Sequence, residues 1–133
     1  MRVLVCGGRK FTDRALLFDV LDELHAQYIF TCVIHGAQRG ADRLADEWAR
    51  LARVPPYRFH AQWKHKGPAA GPIRNARMLE KGQPDLVVAF PGSVGTKDMM
   101  HKALAAKVPV LKVKADGTVS PWPGARAQIE MQL

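Results

Sequence analysis

The sequence predicts an α/β domain whose mostly parallel, five-stranded sheet carries helices on both faces. Five short apolar runs recur along the chain, their starts separated by roughly 23 to 30 residues, with a helical pattern between one run and the next. The runs are continuously apolar rather than alternating, as expected for strands buried on both sides. Together these features describe repeated βαβ units packed into three layers.

The first run, Val3-Leu4-Val5, belongs to a strand over Arg2 to Cys6. Leu16, Leu17, Val20, Leu21 and Leu24 then recur at helical spacing, the stripe of a helix packed on one side. Cys32-Val33-Ile34 is the second strand, and Ala41, Leu44, Ala45, Trp48 and Ala52 stripe the second helix. Tyr57-Arg58-Phe59 is the third strand. A third helix opens at Pro72, where a missing N–H is tolerated, and runs to Lys81 before the Gly82 stop. Leu86 to Phe90 forms the fourth strand, a helix with Met99, Met100, Ala103 and Leu104 on its inner face follows, and Val108 to Leu111 is the fifth strand. Asp116-Gly117 is a turn signal, so Lys112 to Ser120 is expected to fold back as a hairpin ahead of a Pro/Gly-rich tail. On this reading residues 1–113 form a ligand-binding domain, and residues 114–133 are a hairpin or tail of the same domain.

At 133 residues with 47% hydrophobic content, the chain suits one domain with core enough to fold without disulfides or a structural metal. Cys6 and Cys32 fall at the end of one strand and the start of its neighbour, on the order of 13 Å apart at ~3.3 Å per residue, beyond the reach of a bridge. The low cysteine count, the strand that begins at Arg2 with no leader, and the lack of any apolar run near the ~20 residues of a membrane span predict a cytoplasmic protein without a membrane partner. The five histidines show no metal-ligand spacing, so neither a metal nor another cofactor is expected. The formal charge of +8 predicts attraction for nucleotides, nucleic acid or acidic partners. The apolar helix faces leave room for a homodimer.

In open α/β sheets the ligand crevice lies at the loops leaving the carboxyl ends of the strands, and here those loops hold the unusual residues. They are Gly7-Gly8-Arg9-Lys10-Phe11-Thr12-Asp13, Gly36-Ala37-Gln38-Arg39-Gly40-Ala41-Asp42 and Pro91-Gly92-Ser93-Val94-Gly95-Thr96. Glycine lets a ligand approach the backbone, and a following helix start offers unpaired N–H groups, so phosphate is the natural occupant. Arg9, Lys10, Arg39, Lys64, Lys66, Arg74, Arg77 and Lys97 cluster on the same edge against Asp13, Asp42 and Asp98. Arg9 and Arg74 are the candidate phosphate grips, because a guanidinium can donate two parallel hydrogen bonds. Asp42, Asn75 and Trp63 are candidates to shape the rest of the site, and His35 is the histidine nearest to it. Neither Gly-x-Gly-x-x-Gly after a strand nor the P-loop pattern is present, which disfavours hydride transfer and P-loop ATPase chemistry.

Pro91 to Thr96 is similar to the Pro-Gly-Gly-x-Gly-Thr loop of the LOG-type phosphoribohydrolases, and Arg74-Asn75-Ala76-Arg77-Met78 resembles their Arg-Lys-x-x-Met element. Gly36 to Asp42 resembles the Gly-x-Ala-x-Gly-x-Asp segment of the DNA-processing protein DprA. Both groups belong to the SLOG superfamily, and the best overall resemblance is to its cpYpsA-related branch, whose opening Gly-Gly-Arg-x-Phe-x-Asp is met by Gly7 to Asp13. The resemblance covers about residues 2–113 and implies a modified Rossmann fold with a nucleotide or ADP-ribose-like ligand over Pro91 to Thr96. The candidate ligand contacts, from the loops and from this resemblance together, are Gly7, Gly8, Arg9, Gly36, Gly40, Asp42, Trp63, Asn75, Pro91, Gly92, Ser93, Gly95 and Thr96. The glutamate that serves hydrolysis in the phosphoribohydrolases is Met99 here, and the nearest carboxylate is Asp98, about 100° around the helix.

Three functions follow as expectations. The first is binding of a phosphate-bearing nucleotide derivative, by a sensor or by an enzyme with altered catalysis. The second is nucleotide N-glycosidic cleavage, with Arg74 and Asp98 as catalytic residues, because a carboxylate near the anomeric carbon offsets the positive charge that builds on the sugar. The third is DprA-like binding of single-stranded nucleic acid, which the charge favours and the small number of aromatic residues on the basic edge weakens.

Overall fold

The computed structural model describes residues 1–124. In chain order the elements are β1 (Arg2–Cys6), α1 (Arg14–Tyr28), β2 (Cys32–His35), α2 (Ala41–Leu51), β3 (Pro56–Arg58), α3 (Trp63–Lys66), a 3₁₀ turn (Gly67–Ala69), α4 (Ala70–Gly82), β4 (Leu86–Ala89), α5 (Val94–Ala105), β5 (Val110–Val113) and β6 (Val119–Trp122). The strands form one sheet in the order β3-β2-β1-β4-β5-β6. The first five run parallel, with Arg2 opposite Cys32 and Val3 opposite Leu86. β6 returns antiparallel to β5 with Val113 opposite Val119, so the anticipated hairpin adds a sixth strand to the expected five. The tail expected beyond it runs into residues 125–133, which lie outside the described residues.

Period-two alternation of the strands divides the core between two faces. Val3, Val5, Val33, Leu86 and Val88 point to one face with Leu17, Leu21 and Trp48 of α1 and α2. Leu4, Ile34, Val87, Ala89 and Val110 point to the other with Met78, Met99, Met100 and Ala103 of α4 and α5. Two covered faces explain why the strands read as unbroken apolar runs. Trp48, fully enclosed, places its indole N–H 2.8 Å from Asp22 Oδ1, so its one polar atom is satisfied. Cys6 and Cys32 are buried free thiols, and burial pushes both above the ordinary thiol range.

Several boundaries differ from expectation: the fifth strand runs over Val110–Val113 rather than Val108 to Leu111, the fourth ends at Ala89 rather than Phe90, and the third helix and third strand also start elsewhere. The third long helix begins at Ala70 rather than Pro72 and is preceded by α3 and the 3₁₀ turn. Proline is harmless anywhere in the first turn, where N–H groups have no intrahelical acceptor, so it marks the turn but not its first residue. Trp63–Lys66 buries no side chain and therefore shows no apolar period. The third strand starts one residue early because it lies at the sheet edge, where Pro56 removes no needed donor.

Candidate functional site

The chain lays β1, β2 and β3 to one side and then crosses back to place β4 beside β1. The loops leaving β1 and β4 diverge at that reversal and open a crevice at their carboxyl ends. A cleft of about 990 Å³ lies there, with walls from the β1–α1 loop, the β2–α2 loop, α3, α4 and the β4–α5 loop. The Gly8 amide donates to the Pro91 carbonyl at 2.8 Å, which ties the two flanking loops together at the base of the cleft.

The β4–α5 loop contributes Pro91, Gly92, Ser93, Gly95 and Thr96 to the wall. Ser93 caps α5 by position only, without a side-chain hydrogen bond to the helix, so the first-turn amides of Val94, Gly95 and Thr96 keep the helix's partial positive end. A side chain at Gly92 would run into Thr96 and the Gly8 amide, so only glycine fits between the loops. Thr96 is buried, lines the cleft and carries a hydroxyl with no hydrogen-bond partner among the described residues.

Arg74 and Asn75 reach the cleft from α4. Buried Arg74 donates from Nε to Asn75 Oδ1 at 3.1 Å and from Nη1 to the Gly36 carbonyl at 2.8 Å. Burial pulls its pKa below the usual guanidinium range, and Asp42 opposes that shift. Asn75 donates from Nδ2 to the Gly95 carbonyl at 3.2 Å and to Asp98 Oδ2 at 3.0 Å. Asp98 also holds Lys102 Nζ at 2.6 and 2.7 Å, a pairing of residues one helical turn apart. Met99 is fully buried among the core residues, whereas Asp98 lines the cleft. The rotation of about 100° between successive helical positions separates these two destinations.

In the β2–α2 loop Gln38 and Asp42 line the cleft while the glycines turn inward. Asp42 is a buried cleft residue whose carboxyl is raised to about 6 by burial, against the influence of Arg74 and hydrogen bonds from the Gln38 and Gly36 backbone. Gly36 and Gly40, both expected to touch ligand, do not line the cleft. A Cβ at Gly36 would lie 2.8 Å from the Arg74 guanidinium carbon, and Gly40, at φ +78°, packs against the Gly8 and Arg9 backbone. Both glycines therefore serve close packing behind the wall. His35 is likewise set apart: Nδ1 accepts from the Ala37 amide at 3.0 Å and Nε2 donates to Asp46 at 2.7 Å. Burial lowers the His35 pKa, while Arg58, His35 and Arg50 hold Asp46 well below the carboxylate range.

Gly7, Gly8, Arg9 and Trp63 complete the set of expected residues in the cleft. Arg9 is exposed, donates to Gln38 Oε1 at 2.9 Å and sits 5.2 Å from the Trp63 ring centroid. Trp63 is 44% exposed and opens α3, so its free ring surface faces solvent at the cleft mouth. Sequence reading missed Lys102, although its spacing from Asp98 is a legible helical pair. It also missed Gln38 and Asp46, whose roles appear only through contacts across the fold. No group of three or more His, Cys, Asp or Glu suited to a metal occurs among the described residues, and no described helix is long and apolar enough to cross a membrane.

A mainly parallel sheet with helices on both faces and a crevice at its strand reversal defines a Rossmann-like α/β protein. A sequence model of the YspA, cpYpsA-related SLOG family matches residues 1–65. The Gene 61 protein of Mycobacterium phage D29 is 42% identical over 118 residues, covering 83% of this chain and 94% of the phage protein. The chain belongs to the YspA, cpYpsA-related SLOG family. Its backbone also resembles the crystal structure of UDP-GlcNAc 2-epimerase from Neisseria meningitidis bound to UDP-GlcNAc, with a TM-score of 0.56 and 22% identity. That likeness concerns the fold; it covers 98% of this chain, which spans 39% of the epimerase.

Proposed function

We propose that the protein binds a nucleotide-like ligand through a phosphate group seated at the start of α5, with Arg74 as the cationic partner. Thr96 carries this reading. A buried hydroxyl without a partner is unfavourable unless a ligand satisfies it, and this one stands in the uncapped first turn of a helix that borders a cleft of nucleotide size. The apolar surfaces of Phe11, Pro72, Met78 and Val94 suit a ring system, and the exposed Trp63 face suits stacking. The test is a thermal-shift panel of nucleoside monophosphates, NAD and ADP-ribose. A ligand at a hundred times its dissociation constant stabilises by about 2.7 kcal/mol. Thr96→Val should lower affinity for the best ligand roughly tenfold, a loss of one hydrogen bond to a charged group. Unchanged affinity in that variant, or no stabilising phosphate compound, sinks the proposal.

Asp98 supports a second reading, N-glycosidic hydrolysis. Its carboxylate lines the cleft and is held by Lys102 and Asn75, positioned to stabilise a sugar cation while water adds to the anomeric carbon and the base departs with a proton. Here Arg74 and Asp98 are the proposed catalytic residues. Incubation with nucleoside monophosphates should release free base, and Asp98→Asn should slow release by on the order of a hundredfold. Full activity in Asp98→Asn removes Asp98 from the mechanism.

A further inference from the structure

A second, smaller cavity of about 280 Å³ lies on the outer side of α4 and shares one residue, Arg74, with the main cleft. Ile73, Arg74 and Arg77 form its helical wall, since positions three and four apart lie on one face. His60, Gln62 and Lys66 close it from the segment between β3 and the 3₁₀ turn. Every side chain with ionisable chemistry in this lining is basic, and no carboxylate contributes. Lys66 and Arg77 form no ion pair among the described residues; Arg77 instead stands 5.8 Å from the Phe59 ring centroid. Arg74 adds a buried guanidinium whose Nη2 has no hydrogen-bond partner among the described residues.

A concave wall in which three cations, Lys66, Arg74 and Arg77, meet without a counter-charge draws anions, because a bound anion relieves the repulsion between like charges. We propose that this groove is a second oxyanion subsite, separate from the start of α5, that takes a phosphate group between Lys66, Arg77 and Arg74. It rests on the reading above for the ligand's being phosphate-bearing, and it narrows the ligand class to nucleotides with a second phosphate on a separate arm. Arg74, in the wall between the two cavities, is the cation that both phosphates would share.

The test is an NMR titration of labelled protein with inorganic phosphate at constant ionic strength. The Arg77 side-chain N–H and His60 ring report on the groove, while the Gly95 and Thr96 amides report on the α5 start. Saturable shifts of the groove reporters are expected, with the double variant Lys66→Gln, Arg77→Gln weakening the groove constant roughly tenfold or more and leaving the Gly95 and Thr96 shifts intact. Arg77→Lys, which keeps the charge, should retain most of the binding. Silent groove reporters, or shifts unchanged in the double variant, overturn the subsite even if Gly95 and Thr96 respond. Groove shifts with silent Gly95 and Thr96 amides uphold it and overturn the α5 reading instead. A 5′-phosphorylated diadenylate separates the sources: one shared constant for both reporter sets assigns the groove to a second phosphate of one ligand, and two constants assign it to an independent phosphate.

Discussion

The β2–α2 and β4–α5 loops look alike in sequence, each a glycine-bearing turn between a buried strand and a helix, yet they are used in opposite ways. In Gly36 to Asp42 the glycines and backbone turn inward, although Gln38 and Asp42 reach the cleft: the Gly36 carbonyl receives Arg74, the Ala37 amide reaches His35, and Gly40 packs under Gly8 and Arg9. Pro91 to Thr96 leaves the first turn of α5 without a side-chain cap and places Gly92, Gly95 and Thr96, its hydroxyl unpartnered among the described residues, in the cleft wall. The difference teaches that glycine in a βα turn can pack behind a cleft wall, as Gly36 does, or stand in the wall itself, as Gly92 does. Which one applies depends on what the neighbouring elements place opposite it.

The largest expected effect tests the inward loop. Burial raises the Asp42 carboxyl from 3.8 to about 6, so the folded chain keeps a proton that the unfolded chain has already released. The stability contributed by Asp42 is therefore fully present below about pH 4 and is lost, on the order of 3 kcal/mol, as pH rises through 6. Denaturation of Asp42→Asn across this range should lack the fall seen in the parent, leaving the rise that His35, its pKa lowered by burial, contributes towards neutral pH; an undiminished fall would assign the loss to another group. Asp46 acts in the opposite sense at lower pH, because its depressed carboxyl adds stability as pH rises towards 4.

Gly40→Ala comes next. Its positive φ and the Gly8 and Arg9 backbone leave no space for a methyl group, so a loss of about 2 kcal/mol is expected by chemical denaturation. A smaller effect awaits Thr96→Val in the outward loop. Ligand-free stability should stay within about 1 kcal/mol of the parent or rise, since the substitution removes an unsatisfied buried hydroxyl. A large loss would show that Thr96 serves the fold as Gly40 does. Smallest is Gly95→Ala: nothing lies within 4 Å of the added Cβ, and helix propensity favours alanine by roughly 1 kcal/mol. Weaker phosphate binding alongside unchanged or higher melting temperature would sharpen the contrast between the two loops.

Most of the architecture was legible because it rests on local patterns. Leu17, Val20, Leu21 and Leu24 announced a helix face, and Leu86 to Ala89 a strand buried on both sides. The convergence of Gly8, Gly92 and Arg74 was legible from their places after strands and in α4. The α3 segment was not, because Trp63–Lys66 buries nothing, and Pro56 was missed because edge placement is a property of the whole sheet. Nor could the sequence separate Gly36 from Gly92, since the residues that decide their roles are Arg74 and Thr96, far apart along the chain or hidden by the turn of a helix.

From sequence alone came the α/β class, the parallel strands, the hairpin after β5 and the edge on which glycine and positive charge gather, because each follows from periodicity and chain order. Tertiary structure decided which of those groups satisfy one another and which are left facing the cleft. A hydrogen bond or a buried charge depends on distance and exclusion of water, and those arise only when segments distant in sequence are packed together.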